Sequence, residues 1–126
     1  MIAAEQCAAL GGGIAFEWPG SCAYWHDRSL RAFIKRHNLI EIQFDGCMYG
    51  LVSHMTKTSG MPIRKPWTIA TTMKEMGLLG KTCDHKPGDH APCAGADTKA
   101  TEGYSEELVI QLHASVAEWC RTKGAR

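Results

Sequence analysis

Four potential metal ligands lie within eleven residues of this chain, and no other feature restricts its fold as strongly. The stretch at residues 83–93 reads CDHKPGDHAPC, and its ligands are Cys83, His85, His90 and Cys93. Since the 126 residues include six Cys and six His, a window of that length should hold roughly one by chance. Thiolate and imidazole are the ligands that Zn²⁺ prefers in closed tetrahedral sites. The stretch therefore predicts a zinc site.

The residues between the ligands indicate why an ion would be needed. Pro87, Gly88 and Pro92 favour turns over a helix or strand. The stretch also has few apolar side chains to hold it against a core. A closed four-ligand site leaves no open position for water, so the predicted zinc is structural and not catalytic. The alternative is a polar surface loop whose histidines and cysteines are free.

Composition sets the class of protein. At 126 residues the chain is a single domain or a fragment of a larger one, and 44% hydrophobic content supports a core. A net charge of +1 gives no strong attraction to nucleic acid. No apolar run approaches the ~18 residues of a membrane-spanning helix, and the first residues of this sequence lack the basic flank and long apolar region that a secretory signal has. Cysteines interleaved with histidines favour a reducing compartment, so we expect an intracellular protein, nuclear or cytoplasmic.

Periodicity and turn residues predict an α/β fold. Helices are expected over residues 2–10, from Asp27 or Ser29 to about 37, and from a Ser105 cap to the C-terminus, with a short one at 73–79. Strands are expected at residues 14–17, 39–44 and 67–72. Residues 81–103 are expected to be irregular. The order indicates a small, mostly three-stranded sheet with flanking helices, a zinc-stapled loop and one parallel crossover between the first two strands.

Two clusters are candidates for chemistry. Glu17 ends the first predicted strand beside Trp18, and ligands bind at the carboxyl ends of strands in parallel sheets. Arg64 and Lys65 enter the last strand and could clamp phosphate or neutralise Glu17. The alternatives are a loop start for Glu17 and a solvated edge for the two cations. Cys47, in a glycine-flanked turn, is interpreted as a buried thiol because no neighbouring base activates it.

Several motifs together resemble a known group of sequences. They are GGGIAFEWPGSCAYW, FDGCMYGL, PIRKPWTIATT, CDHKPGDHAPC and TEGYSEEL. The set resembles an uncharacterised region in polyproteins of retrotransposon-like elements and in related eukaryotic proteins, over roughly residues 11–113. The chain is distantly similar to the C-terminal half of a cytosine-5 DNA methyltransferase domain.

The methyltransferase resemblance implies half of a Rossmann-like fold that acts on or binds DNA. Glu17 would match the glutamate that holds the target base, and Arg64 would be the second catalytic residue, which orients that base. Arg64, Lys65 and Trp18 would also contact the nucleic acid. In that family the nucleophilic Pro-Cys motif and the glycine loop for S-adenosylmethionine belong to the first half of the domain, which the resemblance does not cover. The resemblance therefore implies that an upstream domain or a second chain supplies that cofactor, and that this chain alone transfers no methyl group. The alternative is a non-catalytic zinc-binding module for nucleic acid or protein.

Overall fold

In residues 2–86 and 88–124, the part of the chain that the computed structural model describes, three strands form one antiparallel sheet. They are β1 (Ala15–Pro19), β2 (Ile40–Asp45) and β3 (Pro66–Thr71), in the order β1-β3-β2. The α-helices are α1 (Ile2–Ala9), α2 (Arg28–Arg36), α3 (Ala96–Ala100) and α4 (Glu106–Gly124). Short 3-10 helices lie at Ala23–His26, Gly46–Tyr49 and Lys74–Leu79. The expectation of a mixed α/β fold with flanking helices is confirmed.

The composition of β3 suits its position in the middle of the sheet. All of its residues after Pro66 are buried, and they are the aromatic, β-branched and small types that suit a strand covered on both faces. On one face Ile69 belongs to a core that includes Leu108 of α4. On the other face Ala70 belongs to a core formed with Phe33 and its neighbours in α2. The sheet thus lies between two layers of helices.

The strand pairing adds one feature to the predicted topology. Both β1 and β2 pair antiparallel with β3, so the two outer strands run in the same direction but are not neighbours. The predicted parallel crossover from the first strand to the second runs through α2, and β3 lies between the two strands that it joins. Periodicity identifies each strand but does not report which strand lies between two others, so the central position of β3 was not predicted.

Helices α2 and α4 were predicted more accurately, because the residues that cap them lie close in sequence to the residues that they contact. Asp27 caps α2 by accepting a hydrogen bond from the backbone N–H of Leu30 at 3.0 Å. Asn38, just after the helix, adopts the left-handed φ of 55° expected of a helix stop. Ser105 caps α4 through the N–H of Leu108 at 3.3 Å. None of the described helices is both long and apolar enough to cross a membrane.

The stretch after β3 is mostly irregular, as predicted, with one exception. Residues 80–95 contain no helix or strand among those described. Helix α3 then forms within the stretch that was expected to remain irregular up to about residue 103. Its buried Asp97 accepts a 2.5 Å hydrogen bond from the Ser53 hydroxyl and one of 2.9 Å from the backbone N–H of His54. These partners are more than 40 residues away in sequence, so local signals could not reveal them.

Candidate metal centre

Cys47 lies in the 3-10 helix that follows β2. The backbone N–H of Gly46 donates to the carbonyls of Arg64 and Lys65, at 2.6 and 3.1 Å, which fixes the turn against the chain that leads into β3. A Cβ atom at Gly46 would lie 2.6 Å from a Leu51 methyl carbon and 3.3 Å from the Trp67 ring, so a larger residue there would force the buried Leu51 side chain to move. Cys47 is consequently held in one place, with only 9% of its surface exposed.

Cys83 reaches the same place from the other direction. After β3 the chain doubles back along the outer edge of β2, where the N–H of Asp45 donates to the carbonyl of Lys81 at 3.0 Å. The N–H of Cys83 then donates to the Asp45 carboxylate at 2.7 Å. Asp45 is 4% exposed, and its other carboxylate oxygen lies 3.4 Å from Nε of Arg64. Asp45 therefore positions Cys83 beside the end of β2.

The two histidines complete the cluster. Nδ1 of His85 and Nε2 of His90 lie 3.4 and 3.2 Å from Sγ of Cys83. Between them, the Asp89 side chain accepts a 2.9 Å hydrogen bond from the N–H of Lys86, which closes the loop. The chain that follows His90 is held in place by buried Ala91, whose N–H donates to the carbonyl of Pro62 at 2.8 Å.

Cys47, Cys83, His85 and His90 form a group that could hold a zinc ion. Their ligand atoms all lie within 4.8 Å of one another. Ligand atoms around tetrahedral Zn²⁺ lie about 3.4–3.8 Å apart, given Zn–N of about 2.1 Å and Zn–S of about 2.3 Å. The two histidine nitrogens are already near this distance from Sγ of Cys83, and the other ligand atoms lie within 4.8 Å, so small movements would place all four around one ion. Two thiolates with two imidazoles are a common structural zinc set.

The observed group differs from the predicted ligands at one position. Cys83, His85 and His90 lie together, but Cys93 is exposed, outside the group, with Sγ 3.4 Å from Oγ1 of Thr101. Cys47 takes the fourth place in the group instead of Cys93. Its thiol is buried, as predicted, but it also lies among three potential metal ligands. Between His90 and Cys93 the chain is held to Pro62 through the N–H of Ala91, and Cys93 lies beside Thr101.

Burial is the main reason that the pKa of the Cys47 thiol is raised to about 12, and the neighbouring Cys83 and Asp45 raise it further. Alone, Cys47 is thus a neutral thiol at neutral pH and a poor nucleophile. A bound dication would reverse this, because metal coordination deprotonates a thiol. The environment fits a metal ligand better than a catalytic cysteine.

Of the two cations that were expected to clamp phosphate or neutralise Glu17, Lys65 acts on Glu17 and Arg64 does not. Glu17 lies in the middle of β1, opposite Ile69, and not at the end of a parallel strand. Its half-burial raises the pKa of its carboxyl, while a hydrogen bond with Tyr104 and the charge of Lys65 act in the opposite direction. Arg64 instead pairs with Asp45, beside the metal group.

Lys65 and Trp18, the other predicted nucleic-acid contacts, also have partners within the fold. The ammonium of Lys65 donates to the carbonyl of Thr101 at 2.5 Å and lies 5.5 Å from the ring of Trp67. The half-buried Trp18 ring lies 5.1 Å from Trp25 and 5.4 Å from Tyr24, in edge-on contacts. Both side chains therefore contribute to packing.

Replacing Glu17 by Gln is expected to change how stability depends on pH. The carboxyl has its ordinary pKa of 4.5 in the unfolded chain and a higher one in the folded protein. At a pH between these two pKa values, the folded state binds more protons than the unfolded state, so the free energy of unfolding falls as pH rises. Because Glu17→Gln removes this fall, its stability relative to wild type should increase as pH is raised from about 4 to 7.

Glu41→Gln provides a control of opposite sign. The hydrogen bond from Arg31, at 2.7 Å, lowers the pKa of Glu41 below the ordinary value of 4.5. The ionised Glu41 carboxylate therefore stabilises the fold above pH 4.5, and this stabilisation is lost as the pH falls through the lower pKa of the folded state. Relative to wild type, this variant should therefore lose stability as pH rises. Urea unfolding from about pH 3 to 7 covers the range in which each carboxyl changes its contribution, and trends of the same sign would contradict the assignment of Glu17.

Comparison with known proteins gives no relative of this chain: no family model, curated protein or solved structure matches it.

Proposed function

We propose that this chain is a zinc-stabilised interaction module in which the ion has a structural role. The observation that carries the proposal is the meeting of Cys47, at the end of β2, with three ligands from the irregular stretch after β3. An ion bound there would tie residues 80–95 to the sheet. That stretch includes few buried apolar side chains, so a metal can supply the stability that a core does not.

The completeness of the ligand set supports a structural role over a catalytic one. Two cysteines and two histidines fill all four positions of a tetrahedral zinc ion, whereas catalytic zinc keeps one position for water or substrate. The side chain of Asp45 fixes the backbone at Cys83, in the way that outer-shell groups orient metal ligands. The proposed role of the ion is therefore to hold the surface formed by the loop and the end of β2.

Metal analysis of the purified protein tests this proposal. We expect about one zinc ion per chain, since the group supplies the four ligands of one structural site. Cys83→Ser should lower that content because Cys83 is central to the cluster. Cys120→Ser is a matched control, because Cys120 is an exposed thiol on α4. A zinc-free wild-type protein would contradict the proposal.

Contact with DNA, in a methyltransferase-like assembly, is the second candidate function. It is supported by a cleft of about 370 Å³ beside the 60%-exposed Arg64 side chain, lined also by Gln43 and Thr68. Arginine and amide side chains are common contacts to phosphates and base edges. In this proposal Glu17 contacts the base, and an upstream domain or second chain binds S-adenosylmethionine. The likeness to retrotransposon-like polyproteins remains part of the same proposal.

A salt titration of DNA binding distinguishes this second candidate from a protein-binding role. Binding through phosphate contacts should weaken as salt rises, and Arg64→Gln should reduce its salt dependence. Arg28→Gln, which changes a cation at the start of α2, should have a smaller effect. Absent or salt-insensitive binding would contradict the DNA proposal and leave the protein-binding module.

A further inference from the structure

We propose that Cys47 and Cys83 are also a site of oxidation, at which a peroxide converts the metal-binding pair into a disulfide and releases the ion. The inference rests on the proposed zinc site and adds a means of regulating it. All six cysteines of the chain are free, and these two have their sulfurs within 4.8 Å of each other. A pair of thiols this close can be linked after a small movement.

Cys83 can make this movement while Cys47 stays in place. A disulfide needs an S–S distance of about 2.05 Å, so the sulfurs must approach each other. Cys47 is fixed in the 3-10 helix through the hydrogen bonds of Gly46. Cys83 lies in the stretch without helix or strand and has a single backbone anchor, the 2.7 Å bond to Asp45. Cys83 can therefore move toward Cys47 without breaking a helix or strand.

Burial determines which thiol reacts first. Cys83 is half-buried, whereas Cys47 is 9% exposed, so hydrogen peroxide reaches Cys83. The Cys83 thiolate attacks one peroxide oxygen, the O–O bond breaks, and hydroxide leaves and takes a proton to become water. Cys83 is oxidised by two electrons to a sulfenic acid, and the peroxide is reduced.

Cys47 then completes the exchange. Its thiolate, the form that coordination to the proposed ion favours, attacks the sulfur of Cys83, the S–O bond breaks, and a second hydroxide leaves and is protonated to water. In total, two thiolates, one peroxide and two protons give one disulfide and two waters. His85 and His90 are then the remaining ligands of the group, so the site no longer has four ligands and the ion is released. A small-molecule dithiol reverses the step by thiol–disulfide exchange.

Peroxide treatment of the zinc-loaded full chain tests the inference. Cys93→Ser with Cys120→Ser is the background, since it removes the two exposed thiols. We expect zinc release, followed with a chromophoric chelator, at about one ion per disulfide, in proportion to a Cys47–Cys83 linkage located by peptide mass spectrometry. A dithiol and added zinc should restore the starting content.

The outcomes separate this inference from the proposed function. Protein that holds no zinc before peroxide is added would contradict the zinc module and the inference together. Zinc-loaded protein that keeps its ion under peroxide would contradict only the inference. Two other results would also overturn the inference. Zinc release with Cys83 oxidised beyond sulfenic acid would show that no disulfide forms, and zinc release with Cys83 joined to another cysteine would show that Cys47 is not its partner.

Discussion

Removing the metal is expected to lower the free energy of unfolding by about 4 kcal/mol when free zinc stands about 1,000-fold above its dissociation constant. The reason is linkage: an ion bound by four ligands of the folded chain stabilises that state and binds the unfolded chain far more weakly. Urea unfolding with excess zinc and with a strong chelator measures the difference. The effect should be large because the ligands come from two segments that are 36 positions apart, Cys47 and Cys83.

Two variants show whether the loss belongs to the described group. In Cys83→Ser the chelator should change stability little, because that variant already lacks a ligand. In Cys93→Ser the chelator should act as it does on wild type, because Cys93 lies outside the group. Equal stability of the wild-type protein with zinc and with chelator would contradict a structural role for the ion.

Leu108→Ala is expected to lower the free energy of unfolding by about 2–5 kcal/mol, through lost burial and the cavity that remains. Leu108 has 0% of its surface exposed and lies in the core that joins α4 to the sheet. The change should act independently of zinc. Thermal or urea unfolding with zinc present throughout therefore measures the contribution of the core alone.

Ile110→Ala is the matched control on the same helix. Ile110 is 55% exposed, so its truncation should alter stability by no more than about 0.5 kcal/mol. A loss at Ile110 as large as the one at Leu108 would indicate that the two positions do not differ in burial and would contradict the orientation of α4.

Local signals explain which parts of the fold could be predicted. The Asp27 and Ser105 caps act within three residues of their partners, so the starts of α2 and α4 can be recognised in sequence. The order of the strands depends on contacts between distant segments. Nothing in the composition of residues 66–71 states that β3 lies between β1 and β2, although its burial on both faces is consistent with that position.

The metal group shows the same limit at a single residue. Cys83, His85 and His90 were predicted because their spacing is local. Cys47 was missed because it joins them only after the chain doubles back along β2, where the carbonyl of Lys81 accepts a hydrogen bond from Asp45. Gly46 indicated a tight turn after the strand, and such a turn can present the thiol of Cys47. The three ligands that Cys47 joins could not be identified from the sequence spacing.

The partners of Glu17 and Arg64 also depend on tertiary contacts. The sequence places a cation pair before β3, and either cation could have faced Glu17. In the folded chain Lys65 acts on Glu17, and Arg64 turns to Asp45 at the metal group. Lys65 has a φ of 31° and lies outside the strand, so the side of the chain that each cation faces does not follow the alternation of a strand and could not be predicted from the sequence.

Zinc affinity of Cys47→Ser and Cys93→Ser, measured by competition with a chromophoric chelator, tests the central claim most directly. Even outer-shell changes weaken metal binding about 10- to 100-fold, so loss of the Cys47 ligand should weaken it more than about 100-fold. Cys93→Ser should bind zinc as the wild type does. The reverse result, with zinc retained in Cys47→Ser and lost in Cys93→Ser, would contradict the assignment of Cys47 as the fourth ligand.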